Sequence, residues 1–259
     1  MRNKGFLMLA AALLASPAAA QPGDWHHPED HLEPERPALS LDYDVLLHDL
    51  LHDAYDHSVD VSMVALPSFV PEYAVGLRSI KTIGTGTFQT TTRGAPYHIF
   101  VLSPEAQIWT YHSIAALKNG QERIVGDKNN EARNRQMAQL QSKVPVNPRD
   151  LKVDRCEADI SDALGNRIVA VWGKMLMNVR YAARYQGGAD GVTLHFNGFV
   201  AGPGRIGGVL VASQRDSATG TLVALANAMR DACEKKATEA DLDKLTLELE
   251  QRMQKGQGR

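Results

Sequence analysis

The strongest constraint lies in residues 162–183. There Leu164, Ile168, Val171, Trp172, Met175, Leu176 and Val179 recur at spacings of three and four and line one face of a helix. So broad an apolar stripe must be covered by a second layer. The chain offers strands for this. Residues 192–200 alternate apolar and polar side chains, and a second apolar run at 208–212 follows the glycines Gly202, Gly204 and Gly207, the pattern of a hairpin. Further runs with β character occupy 59–66, 73–80, 85–92, 97–102 and 153–158, broken by Pro67, Pro71, Gly84, Gly94 and Pro96. Gaps this short favour antiparallel pairing.

Helical spacing returns at both ends. In residues 41–56, Tyr43, Leu46, Leu47, Leu50, Leu51 and Ala54 share a face, with Ser40 placed to cap the first turn. Leu222, Leu225, Ala226, Met229 and Ala232 mark another helix, entered through Ser217 and Thr219 and ending near Cys233. A last helix over 239–253 carries Leu242, Leu245, Leu249 and Met253, with Thr238 and Asp241 spaced as a capping box. Ser103-Pro104-Glu105 reads as a helix start, yet the apolar residues that follow suit a strand equally; the sequence leaves both open. Runs of strands flanked by helices define an α+β class, with antiparallel sheet packed against several amphipathic helices, rather than a repeating βαβ pattern. The expectation is one compact domain over 41–255, with a soft boundary near 120–150 where the composition turns polar.

Ahead of that domain, residues 1–20 hold Arg2 and Lys4, an uncharged stretch from Gly5 to Ala20, and small residues at Ala18-Ala19-Ala20, which predicts a signal peptide cut near Ala20. The uncharged stretch falls short of the roughly 20 residues a membrane span needs and contains Pro17. No later run is apolar enough to span, so the expected product is exported, periplasmic or extracellular, without a transmembrane segment. Residues 21–40 hold Pro22, Pro28, Pro34 and Pro37 with no apolar period, which predicts an extended, mobile arm. The two cysteines, Cys156 and Cys233, are expected to form a disulfide in that oxidising setting, since they lack the Cys-x-x-Cys spacing of a redox pair.

Composition narrows the function. With 44% apolar and 22% charged residues the chain of 259 can build a full core. Its 28 basic and 30 acidic side chains give no basic excess of the kind that binds nucleic acid. Six of its nine histidines, His26, His27, His31, His48, His52 and His57, fall in the first 57 residues. His48 and His52 are four apart on an expected helix, so both could reach one zinc or other transition-metal ion, with Asp44, Asp49, Asp53 or Asp56 adding a carboxylate. The glutamate that follows the first histidine in HExxH proteases is missing there. His26, His27 and His31 sit in the arm, where weak chelation needs no dedicated site.

Gly202, Gly204 and Gly207 match GxGxxG spacing, but a strand follows where a nucleotide site needs a helix. No Gly-x-Ser-x-Gly elbow is present. Glu72, Tyr97, His98, His112, Asp190 and His195 are acid-base candidates that only folding could assemble. Trp109 and Trp172 read as core, and Trp25 as a contact for a partner. The leading expectation is a non-enzymatic exported module, with no cofactor, that binds a protein or the cell envelope. The alternative is a metal-dependent hydrolase or metal-handling protein using His48 and His52. A third class, a hydrolase assembled from distant residues, would gather ionisable groups with displaced pKa values.

Overall fold

The computed structural model describes residues 31–35, 41–83, 90–118, 147–181, 191–211 and 216–256. A six-stranded antiparallel sheet in the order β4-β3-β2-β1-β5-β6 carries helices on both faces. β1 (Val59–Pro67), β2 (Tyr73–Ile83) and β3 (Thr90–Pro104) form a meander, and β4 (Val153–Ile160) pairs outside β3. β5 (Val192–Val200) returns to the other side of β1 and leads into β6 (Gly204–Leu210). Met63 stands at the centre, opposite Val75 on one side and Phe196 on the other.

Strand alternation assigns the two faces. Val61, Met63, Val75, Leu77, Ile99, Val101, Leu194 and Phe196 meet α4 (Asp162–Met177), α5 (Ala218–Cys233) and α6 (Glu239–Gly256) in the larger core. Val64, Ala74, Phe100 and Leu102 face the other way, against α1 (Leu41–Leu50), α2 (His52–Tyr55) and the start of α3 (Ile108–Lys118). Covered on both sides, β1 is buried almost throughout, so Met63 to Leu66 read as a continuous apolar run, while before them the buried Asp60 accepts a hydrogen bond from Ser79 Oγ and the buried Ser62 donates one to Ala54 O. The α+β class and the single compact domain are as the pattern predicts.

Boundaries differ in instructive places. Residues 90–92 of the run expected at 85–92 and the whole run at 97–102 belong to one strand, β3, while residues 84–89 lie outside the described residues. Gly94, at φ +108°, sits where the β2–β3 register shifts between Arg78 and Ile80, so a residue that looks like a break is absorbed by an irregularity. The helix expected over 41–56 divides at Leu51 into α1 and α2. Ser62 Oγ and both terminal nitrogens of Arg205 take carbonyls of residues 54 and 56 that a longer helix would have used. The segment left open after Ser103 is helical, as α3. The helix expected over 162–183 ends at Met177, with Asn178 as its cap.

Part of the stretch read as a mobile arm is packed: His31, Leu32 and Glu33 are buried, and Glu33 bridges to Val209 on β6. Leu32 is the reason, a large apolar side chain that joins the main core. Residues 1–30 and 36–40, and the polar stretch from 119 to 146, lie outside the described residues, as does Trp25. A disulfide joins Cys156 on β4 to Cys233 at the end of α5, with Cα atoms 5.9 Å apart, stapling helix to sheet as expected. The capping box is present too: Thr238 N donates to Asp241 Oδ2 at 2.8 Å and Asp241 N donates to Thr238 Oγ1 at 3.4 Å at the start of α6. Among the described residues no helix is long and apolar enough to cross a membrane.

Candidate functional site

His48 and His52 take separate partners. The His48 ring stacks on Tyr55, with centroids 3.6 Å apart and planes at 14°. His52 opens α2, largely exposed, with Nε2 3.3 Å from its neighbour Asp53. Among the described residues no three His, Cys, Asp or Glu side chains are grouped as a metal ion would require.

His48 instead belongs to a polar cluster packed between α1, α2, residues 31–35 and the last two strands. The sheet supplies His195, opposite Val64 and Val209, and Asn197, opposite Ser62 and Gly207. α2 lies across this face because Ser62 Oγ donates to Ala54 O at 2.8 Å. From β6, Arg205 donates to Asp56 O at 2.7 Å and to Ala54 O at 3.2 Å. Glu35, exposed on its outer side, lays its carboxyl over Gly207, where a Cβ would stand 2.6 Å from it.

Burial displaces the charges of this cluster. It pushes His195 below the ordinary histidine value, and the nearby His48 adds to the fall. It holds the Glu35 carboxyl above its usual range against the pull of Arg205, and Asp44 above its own against His48. The Tyr55 phenol is driven far upward by burial, then by Asp44 and Glu35. Asp44 Oδ2 is buried without a hydrogen-bond partner. At neutral pH burial therefore keeps His195 largely uncharged. Surface grooves among the described residues include one between α4 and the end of β5, at Gly173, Met177, Phe199 and Val200, and one beside Tyr73 and Arg230.

Of the acid-base candidates, Glu72 and His112 gather around one side chain. Tyr43 donates to Glu72 Oε1 at 2.8 Å, and its ring lies 5.9 Å from His112 and 5.0 Å from Trp109. The fully buried Glu72 also accepts from the amides of Ile108 at 2.6 Å and Trp109 at 2.9 Å, so it is the cap of α3. His98 pairs with Asp159 at 2.6 Å, and Tyr97 donates to Asn166 at 2.7 Å, each apart from the cluster. Asp190 lies outside the described residues. Glu35, Tyr55 and Arg205 were not among the sequence candidates; the adjacent glycines Gly207 and Gly208 in a strand were the available signal, because glycine there marks a close approach.

A second feature is apolar. The turn from β1 to β2 projects Phe69 and Val70, 79% and 55% exposed, with Val192 beside its base at 40%. Its backbone is pinned: Ser68 N donates to Gly191 O at 2.9 Å, and Gln107 Nε2 donates to the carbonyls of Pro67 and Ser68 at 3.3 and 3.1 Å. Trp109, expected in the core, is 48% exposed, while Trp172 is fully buried as expected.

No protein-family model matches this chain, and neither a curated protein nor a solved structure matches it.

Proposed function

We propose that this chain is an exported, non-enzymatic binding module that works through contact with a protein or with the cell envelope. One observation carries the reading: Phe69 and Val70 stand exposed at the tip of a turn whose backbone is fixed by Ser68, Gly191 and Gln107. A flexible loop would fold such side chains inward. A pinned one keeps them in water, at a cost of roughly 25 cal/mol for each Å² of apolar surface, until a partner covers them. The disulfide supports the exported part of the reading, since such a bond persists in oxidising compartments. The metal-dependent alternative gains no support from His48 and His52, whose partners differ.

The test is co-sedimentation of the purified chain with isolated cell envelopes, compared with the variant Phe69→Ser/Val70→Ser. The expected result is retention of the parent chain and at least a tenfold loss for the variant, the factor that about 1.4 kcal/mol represents. The melting temperature should stay unchanged, because both side chains are exposed. Equal retention of the two proteins, or no retention of the parent, would sink the reading.

A further inference from the structure

The turn from β1 to β2, Pro67-Ser68-Phe69-Val70-Pro71, holds no charged residue, and its first leg satisfies its polar groups from within the chain. Ser68 donates its amide to Gly191 O, and its hydroxyl accepts from Gly191 N at 3.1 Å. The carbonyls of Pro67 and Ser68 both accept from Gln107 Nε2, and the two prolines have no N–H to leave unpaired. The next residue, Glu72, is an acid turned inward: it is fully buried, with its oxygens taken by Tyr43 and by the amides of Ile108 and Trp109. Through Gln107 and Glu72 the start of α3 is tied to the turn, so the half-exposed Trp109 stands beside its base, its ring edge-on to Tyr43.

These features favour lipid over protein as the surface that covers Phe69 and Val70. A protein partner can offer hydrogen bonds to the backbone it covers, whereas the hydrocarbon of a bilayer offers none and penalises every polar group brought in unpaired. Pro67, Ser68 and Pro71 bring no unpaired N–H to the tip. A tryptophan set back from the apolar crest suits the boundary between lipid and water, where an indole keeps one side apolar and its N–H wet. The charges nearby are balanced. The groove beside Pro71 carries Arg230 and Lys236 against Asp231 and Glu234, with the Arg230 guanidinium 4.6 Å from the Tyr73 ring centroid and Lys236 paired with Glu234. That face therefore has no basic excess to draw it to anionic headgroups. We propose that the partner of this turn is a lipid bilayer, entered by Phe69 and Val70 with Trp109 at the level of the headgroups, and that apolar insertion rather than headgroup charge holds the chain there. The proposal rests on the reading of the turn as the contact surface and names what it contacts.

Flotation with protein-free vesicles of phosphatidylcholine tests it. The purified chain should rise with the vesicles, and Phe69→Ser/Val70→Ser should lower its partition coefficient at least tenfold. Raising NaCl from about 0.1 M to about 1 M, which shortens the screening length from about 10 Å to about 3 Å, should not weaken binding of the parent chain. A second arm reads position. Vesicles with bromine on their acyl chains should quench the indole added by Phe69→Trp and leave the one added by Met177→Trp, exposed at the end of α4, at full emission. Equal flotation of parent and serine variant, binding only to vesicles that contain anionic lipid, binding that salt removes, or equal quenching at 69 and 177 overturns the proposal. So does a parent chain that isolated envelopes retain and phosphatidylcholine vesicles do not; the binding reading then stands, with a protein as the partner. Retention by neither overturns both together. Should the serine variant fail to melt cooperatively, the quenching arm decides alone.

Discussion

His195 shows how one side chain can set a pH response. Its folded-state value lies below the ordinary 6.5, so as pH falls the unfolded chain takes up a proton first. The stability it contributes is complete above that ordinary value and is lost as pH falls below it. Glu35 and Asp44 carry the opposite sign: both are raised above 4.5 and 3.8, so their contribution is present at low pH and lost as pH rises through the folded-state values. Replacing His195 by Gln removes only the histidine part. Between about pH 7.5 and about pH 5.5, urea unfolding of His195→Gln should lose less free energy than the parent, by on the order of 1 kcal/mol. Equal losses in the two proteins would show that His195 is not the group responsible. Neither the burial of His195 nor its company could be read from its neighbours in sequence, because His48, the charge that acts on it, lies on α1, far away along the chain.

Elements were legible where their signal is local. The stripe that ends at Val179 and the leucines of α6 follow the helical period, and Thr238 and Asp241 are three residues apart, so both helices could be placed before folding. α3 was not, because its cap is Glu72, which reaches Ile108 across 36 residues. The end of α2 was hidden for the same reason: side chains of β1 and β6 claim the carbonyls of Ala54 and Asp56. The disulfide is the element-scale prediction. It closes a separation of 77 residues, for which chain entropy suggests an upper figure of about 4 kcal/mol. Cys156→Ser/Cys233→Ser should remain folded, because α5 keeps its packing in the larger core, but should unfold at lower denaturant, with a loss of about 2–4 kcal/mol. Unchanged stability in guanidinium, or two titratable thiols in the unreduced parent chain, would contradict the staple.

At the scale of the molecule, the sheet separates two cores of unequal size. The larger holds Trp172, Phe196 and most of α4 and α5; the smaller rests on α1, α2 and the start of α3. Local opening is easiest where fewest apolar contacts must be given up. Native-state amide exchange in low denaturant should therefore release α1 at a lower free energy than α4, and a common value for both would refute that order. Class and layering were readable because periodicity survives at any distance. The placement of the exposed Phe69 turn was not, because exposure is decided by what the rest of the chain leaves uncovered. The strand order also sets a timetable. β1 lies between β2, which follows it directly, and β5, whose Gly198 pairs with Val61 only after most of the chain has been made. A polypeptide that folded as it appeared from its N-terminus would complete the meander early and leave open a row of backbone donors and acceptors along β1, the kind of edge on which growing chains stick to one another. In any folding that begins before residue 200 has been made, that row stays unpaired.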